Sequence, residues 1–203
     1  GLEGIAVSAD DILVFAKDEK QLDNYTEKLL DCLLARGIRL NREKCVLEAV
    51  QKIKFLGHIV TNNGVLPDPE KVEALKFMPA PIDKKELQRR LGLATYLSEF
   101  VPNFSELTAP LRQLLRNDVE FEWIAEHETA YNELKEMIRN DILLRYFDLS
   151  KPVVLQVDAS SYALGAALLQ ENKPVAFASK SITDTEKYYS QIEKETLAIM
   201  FGC

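Results

Sequence analysis

Ile5-Ala6-Val7-Ser8-Ala9-Asp10-Asp11-Ile12-Leu13-Val14-Phe15 decides how the rest of the chain is read. Two runs of strand-forming residues, 5–7 and 12–15, flank two adjacent carboxylates, the outline of a β-hairpin carrying acid at its tip. A tight hairpin favours Asn-Gly or Asp-Gly, where positive φ is easily adopted, so Ser-Ala-Asp-Asp is a poor turn in its own right. Adjacent like charges repel, and folding gains nothing by holding them together unless a cation sits between them. Two readings follow. One is an ordinary solvated turn; the other is a divalent-metal site, because hard ions such as Mg²⁺ take carboxylate oxygens together with substrate phosphates.

With 203 residues, 47% of them hydrophobic, the chain is long enough for one or two cores and lacks the composition of a disordered segment. No apolar run approaches the ~20 residues that span a bilayer, and Gly-Leu-Glu-Gly at the start has no basic region followed by an apolar one. A soluble intracellular protein, cytoplasmic or nuclear and with no membrane partner, is expected. Three cysteines, Cys32, Cys45 and Cys203, at unrelated spacings and with only His58 and His127 to help build a zinc site, read as free buried thiols. The formal charge of −7 argues against a strongly basic nucleic-acid binder, yet the charge is uneven. Residues 36–54 hold Arg36, Arg39, Arg42, Lys44, Lys52 and Lys54 against Glu43 and Glu48, a local net of +4, whereas the acids of 118–148 outnumber Lys135, Arg139 and Arg145 by six. A local basic patch can still meet a phosphate backbone.

After the hairpin, Leu22, Tyr25, Leu29 and Leu33 form a helical stripe over 18–36, and Gly37 stands where a helix stops. Residues 38–45 mix strand and turn. Residues 52–60 read as a strand turning at Gly57, and Asn62-Asn63-Gly64 makes a tight turn leading to Val65-Leu66. Pro67 and Pro69 open a short helix over 70–77, Pro79 and Pro81 end it, and the linker around Ala80 marks a subdomain boundary. Asp83 with Glu86 starts the next helix, whose apolar face is Leu87, Leu91, Ala94 and Leu97; Pro102-Asn103 stops it. One more helix runs to about residue 116, and the acidic segment carries Trp123 and a helix with Tyr131, Leu134 and Ile138. From 151 the pattern changes to three strand-like runs, 153–157, 163–169 and 174–179, most simply an antiparallel meander. A last helix begins near Thr183 to Glu186, with Tyr189, Ile192, Thr196 and Ile199 on its apolar face.

A second acidic pair lies in this last part. Asp158 closes a strand, where an Asp is more often a turn former or cap than a ligand. Glu195 projects near the apolar stripe of a helix that must pack on the sheet, where a buried carboxylate is costly without a partner or cation. If that helix crosses the first strand, Asp158 and Glu195 converge on one metal.

Together these pieces resemble the polymerase and ribonuclease H region of the gypsy class of long-terminal-repeat retrotransposons. Ser8-Ala9-Asp10-Asp11-Ile12-Leu13-Val14 resembles the palm's Tyr-x-Asp-Asp motif. Leu40-Asn41-Arg42-Glu43-Lys44-Cys45 and Phe55-Leu56-Gly57-His58 are similar to the following palm motif and the primer grip. Leu91-Gly92-Leu93-Ala94-Thr95-Tyr96-Leu97 with Phe100-Val101-Pro102-Asn103-Phe104-Ser105 is similar to that family's thumb and connection. Val157-Asp158-Ala159-Ser160, Gly165-Ala166, Tyr189-Ser190-Gln191 and Glu193-Lys194-Glu195-Thr196-Leu197-Ala198-Ile199 resemble the opening of its ribonuclease H domain.

The resemblance implies an α+β or α/β architecture: the C-terminal part of a polymerase palm (1–78), a helical thumb and connection (79–150), then the N-terminal half of a ribonuclease H-like domain (151–203). It implies RNA-directed DNA polymerisation and hydrolysis of RNA in RNA–DNA hybrids, by two-metal chemistry with Mg²⁺, or Mn²⁺ in its place. On that reading Asp10 and Asp11 hold the polymerase metals and Asp158 with Glu195 the ribonuclease metals. Ser8 stands beside the first site, Lys44 near the incoming deoxynucleoside triphosphate, and Phe55, Leu56 and Gly57 at the primer end. A solvated Lys44 and a core strand at Phe55-Leu56 are the plainer alternatives. Primer-template or RNA–DNA hybrid would be met by residues 36–54 and by Lys84, Lys85, Arg89 and Arg90, and the remainder of a polyprotein is a further partner.

The family has Tyr where this chain has Ser8, draws another palm Asp from an earlier strand, and uses two further ribonuclease Asp residues from beyond the first helix. The chain is therefore expected to be a fragment, inactive alone, with both sites half present. A decayed or co-opted copy acting only as a nucleic-acid or protein binding module is the alternative. A sugar-kinase-like or chaperone-ATPase-like fold would need glycine-rich phosphate loops, which are not found.

Overall fold

A computed structural model describes residues 3–138 and 141–203. Arg139, counted above in the acidic segment, lies outside them. The described chain forms two compact units that divide between Asn62 and Asn63.

In the first unit, strands β1 (Ile5–Ser8) and β2 (Asp11–Val14) pair antiparallel, Ser8 opposite Asp11 and Ile5 opposite Val14. Helix α1 (Glu19–Ala35) follows. Asp18 caps it, its Oδ1 accepting from the Gln21 N–H at 2.8 Å. At its other end Gly37 takes φ 68°. There the Ile38 N–H donates to the Leu33 carbonyl at 3.0 Å and the Gly37 N–H to that of Leu34 at 3.1 Å, the paired bonds of a glycine-terminated helix. Tyr25, Leu29 and Leu33 are buried, three of the four stripe positions expected, and α1 packs on β2. Gly4 makes that approach close: a β-carbon there would overlap the Tyr25 ring and the Phe15 carbonyl oxygen. Residues 38–51 form no strand; they hold one short helical turn, Arg42–Lys44. Strands β3 (Lys52–Phe55) and β4 (His58–Thr61) then make a hairpin closed by Leu56 and Gly57. The free thiols are half-buried at Cys32 and Cys45 and exposed at Cys203, not buried: Cys32 lies off the Tyr25, Leu29 and Leu33 stripe of α1, and Cys45 and Cys203 lie outside helix and strand.

The second unit opens with β5 (Gly64–Pro67), tied to Leu144 by reciprocal backbone bonds of 2.8 and 2.9 Å from Val65. Helices α2 (Pro69–Lys76), α3 (Lys84–Tyr96), α4 (Phe104–Leu107), α5 (Ala109–Gln113) and α6 (Ala125–Met137) follow. The single helix expected up to residue 116 is thus two short ones. Pro110 sits in the first turn of α5, where its missing N–H is harmless, and so restarts the helix there. Val72, Leu75, Leu87, Leu91, Ala94, Leu97, Leu111, Tyr131 and Leu134 form one buried cluster. Because Val72 and Leu75 of α2 belong to it, the proline-rich linker around Ala80 runs inside this compact unit. Strands β6 (Val154–Ala159), β7 (Ala163–Gln170) and β8 (Lys173–Ser181) form the antiparallel meander in that order, and α7 (Gln191–Gly202) packs on β6 and β7. Buried Gln170 ties the sheet to the chain before it: its Oε1 accepts from the Asp148 N–H at 2.8 Å, and its Nε2 donates to the carbonyls of Asp148 at 2.7 Å and Lys151 at 3.1 Å.

The packed face of α7 differs from expectation. Lys194 and Ala198 are buried and Leu197 and Phe201 pack with them, whereas Ile192 is 73% and Ile199 53% exposed. The reason is steric. Ala198 and Gly202 let the helix approach the sheet so closely that a β-carbon at Gly202 would press on Val157 and Leu155, so the small-residue stripe wins over the larger apolar one.

Leu87→Ala should destabilise the second unit by about 2–5 kcal/mol through the cavity left in its helical cluster. The sole tryptophan, Trp123, packs against that cluster. A urea titration followed by its emission should show the midpoint fall; an unchanged midpoint would refute the placement of this core.

Candidate active sites

At the first site the register leaves Ala9 and Asp10 as a two-residue loop, so Asp10 stands at the tip and Asp11 opens β2. Both carboxylates are exposed and Ser8 is half-buried beside them. Ala9 takes φ 48°, a conformation that costs an L-residue roughly 1–2 kcal/mol relative to its usual basins. A residue better suited to the turn would be glycine, so the loop holds two like charges on a locally unfavourable backbone. Lys44 is exposed at the end of the short turn begun by Asn41, whose Oδ1 accepts from the Glu43 N–H at 3.1 Å. Phe55 is half-buried at the end of β3, while Leu56 is 47% exposed at φ 51° and Gly57 follows at φ 78°. Leu56 is therefore a turn residue, not part of a core strand. A leucine held exposed in the left-handed region is the kind of strain that gathers at functional sites.

At the second site Asp158 lies on β6 opposite Gly165, and Gly165 lies opposite Ser179 of β8, so the three make one cross-strand row. Successive strand residues face opposite sides. Leu155 and Val157 meet α7, so Asp158 faces the other side, where Asn103, Glu106, Ser160 and Gly165 lie close around it. Asp158 and Glu195 are both exposed, so neither carboxylate carries the burial penalty expected for Glu195. Their connection runs through Ala159. Its N–H donates to Asp158 Oδ1 at 2.9 Å, its carbonyl accepts from Gln191 Nε2 at 2.9 Å, and that amide lies 3.4 Å from Glu195 Oε1. The expected packing of helix on strand is present, and the Gln191 side chain links Glu195 to the backbone at Ala159, beside Asp158.

Gln191, Asn103 and Glu106 had no place in the sequence reading as site residues. Gly165 inside a strand was the available signal, since such a glycine marks close approach of another segment. Both acidic pairs offer the hard oxygen donors that Mg²⁺ or Mn²⁺ takes. Among the described residues no group of three or more His, Cys, Asp or Glu is gathered. Each site thus supplies one or two carboxylates, the number at which Mg²⁺ relies on substrate phosphates for the rest.

The basic residues of α3 divide. Lys85 and Arg89 are exposed, whereas Lys84 Nζ donates to the carbonyls of Arg116 and Val119. Arg90 is only 5% exposed and pairs with Glu86 at 2.7 Å, one helical turn away. It is thus not on a phosphate-facing surface: the same helical stripe that buries Leu87 and Leu91 carries it inward. Among the described residues no helix is long and apolar enough to cross a membrane.

The start of α7, which carries Glu195, depends on a capping box. Glu193 Oε2 accepts from the Ser190 N–H and Oγ at 2.8 Å each. Those bonds, the side-chain one foremost, hold the Glu193 carboxyl below its ordinary range. A lowered folded pKa means the cap's contribution is present above the unfolded Glu value of about 4.3 and is lost as pH falls through the folded one. Protection factors of amides 192–195, their exchange rates referred to the intrinsic rate at each pH, should therefore fall below that pH, and Ser190→Ala should lower them at neutral pH. Identical protection factors at pH 7 and pH 3 would contradict the cap.

A reverse transcriptase (RNA-dependent DNA polymerase) family model matches residues 4–60, and an RNase H-like domain found in reverse transcriptase matches 123–203. The chain is 36% identical over 198 residues to a retrovirus-related Pol polyprotein from transposon 297 of Drosophila melanogaster, covering 97% of this chain and 18% of that protein. It is 33% identical over 196 residues to the transposon Tf2-3 polyprotein of Schizosaccharomyces pombe, covering 94% of this chain and 15% of that one. The chain thus spans less than a fifth of the length of these relatives. Among solved structures it is similar to a foamy viral protease-reverse transcriptase in complex with RNA/DNA hybrid, with a TM-score of 0.85, 28% identity, and 98% of this chain and 28% of that one covered. The same protein in complex with dsDNA gives a TM-score of 0.84 at 28% identity, covering 98% of this chain and 43% of that one. With its mixed α/β fold, this chain belongs to the reverse transcriptase and ribonuclease H-like region of retrotransposon polyproteins.

Proposed function

We propose that this chain contributes to RNA-directed DNA polymerisation through Asp10 and Asp11, and to hydrolysis of RNA in RNA–DNA hybrids through Asp158 and Glu195. The observation that carries the reading is the pair of adjacent exposed carboxylates on a strained two-residue hairpin tip, inside the segment that matches the polymerase family. Mg²⁺, or Mn²⁺ in its place, would supply charge neutralisation for the attacking and leaving phosphate oxygens in both reactions. Asp10 and Asp11 would hold it at the hairpin tip, Asp158 and Glu195 at the sheet. Lys44 would place a cation for a deoxynucleoside triphosphate, and the turn Phe55-Leu56-Gly57, with Leu56 exposed, would offer an apolar edge to a primer end. The proposed modules are a palm segment over 1–78, thumb and connection over 79–150, and a ribonuclease H-like segment over 151–203. The same reading assigns the gypsy class, an endonucleolytic ribonuclease step, an intracellular setting and the remainder of a polyprotein as partner.

Joined to the other palm and ribonuclease segments of such a polyprotein, Asp11→Asn should abolish primer extension and spare hybrid hydrolysis, while Asp158→Asn should do the reverse. Loss of both activities from either change alone would sink the assignment of separate sites.

Nucleic-acid contact is assigned to residues 36–54 and to Lys85 and Arg89. Each phosphate neutralised contributes about −0.9 to the slope of log affinity against log salt for duplex DNA. Charge reversal of Arg89 should weaken binding of a primer-template and flatten that slope, measured by fluorescence anisotropy across a salt series, and Glu126→Lys should leave affinity unchanged or raise it. Arg90→Glu is expected to unfold the helical cluster rather than act on binding. Affinity indifferent to salt and to Arg89 would be fatal to this interface.

A further inference from the structure

Asn103 is left over from the functional reading. It precedes α4 in the left-handed region, φ 52° and ψ 31°, but its side chain makes no cap bond to its own helix. Instead it lies over Gly165, so close that a β-carbon at Gly165 would overlap Asn103 Oδ1. Gly165 is the cross-strand partner of Asp158. Two residues on, the Ser105 N–H donates to Ser179 Oγ at 3.0 Å, and the two hydroxyls lie 3.1 Å apart. Ser179 completes the same row. The short helix therefore grips two of the three positions of the Asp158–Gly165–Ser179 row, on the face to which the third, Asp158, also points. Its own place is set from behind, because Phe104 and Leu111 are buried in the helical cluster and Thr108 Oγ1 is bonded to the Phe104 carbonyl at 2.8 Å.

We propose that Asn103 is a positioning residue for Asp158: by seating on Gly165 it fixes the β6–β7 pair where the carboxylate is presented, so the helical layer forms one wall of the ribonuclease site. This rests on the reading of Asp158 as a metal ligand given above. Asn103 acts through Gly165 and the Ala159 amide that holds Asp158 Oδ1, not by touching substrate. Groups that hydrogen-bond a metal's ligands commonly set its affinity by 10-fold or more, and the Ala159 amide is such a group for Asp158.

The test uses the 203-residue chain, isotopically labelled and titrated with Mn²⁺ alone, reading paramagnetic broadening of the amide signals of residues 158–160, with hydrogen exchange of the Ala159 amide as a metal-free readout. Asn103→Ala should weaken the Mn²⁺ response at these amides roughly tenfold and quicken Ala159 exchange. The isosteric Asn103→Asp should restore slow exchange and match or exceed the original Mn²⁺ affinity. A general loss of packing would instead quicken exchange in α3 and α6 as well, and Asn103→Asp would not rescue it. Asp158→Asn separates the two ideas: if it leaves the broadening intact, the metal reading falls and Ala159 exchange alone decides the role of Asn103. Unchanged Ala159 exchange in Asn103→Ala, or an unchanged Mn²⁺ response where Asp158→Asn abolishes it, overturns the proposal.

Discussion

Burial of one apolar cluster by α2, α3, α5 and α6 is the constraint on which the second unit depends. These helices are short, and α4 and α5 are too short to be stable alone in water, so their helicity comes from packing rather than propensity. Capping carboxylates set their starts. Asp68, nearly fully buried, accepts from the Glu70 N–H at 3.2 Å before α2, and Asp83 accepts from the Glu86 N–H at 2.7 Å before α3. Once the cluster forms, α4 is presented to the sheet with Asn103 and Ser105 at fixed heights. The chemistry proposed at Asp158 is thereby linked to packing that involves no functional residue.

The two proposed sites are built in opposite ways. Asp10 and Asp11 sit at the tip of a two-stranded hairpin, whose strands are backed by α1, with Gly4 letting the Tyr25 ring approach closely. A tip of this kind holds charge in water at small desolvation cost, but it stores strain at Ala9. Asp158 lies on the edge strand of a three-stranded sheet with helices on both faces, so the β7 ladder holds its backbone while its carboxylate stays exposed. Hard-cation binding at the first site then depends on what is brought to it, and at the second on how well the walls hold the carboxylate.

Arg90 illustrates why charge patterning misleads. Lys84, Lys85, Arg89 and Arg90 are a basic run on a helix, yet 3.6 residues per turn sends them to different environments. Only Lys85 and Arg89 reach solvent freely; Lys84 closes the carbonyl ends at Arg116 and Val119, and Arg90 is drawn under the cluster with Glu86 as its counter-charge. Breaking such a buried pair is costly because it strands a charge, whereas exposed cations can change with little effect on folding.

What the sequence determined by itself is local. The hairpin at residues 5–14, α1 with its Asp18 and Gly37 ends, the face of α3 and the order of the last three strands follow from period, caps and turn residues, all of which act over a few residues. The family resemblance was legible for the same reason, since its motifs are short and contiguous. The tertiary structure alone decided which of two neighbouring stripes of α7 meets the sheet, because close approach at Gly202 outweighs the larger area of Ile192 and Ile199. It alone showed that Asp158 turns toward α4 and away from the face α7 covers, and that Asn103 seats on Gly165, 62 positions later in the chain. Such contacts join segments far apart in sequence, and no local pattern of residue types specifies which distant surfaces will meet.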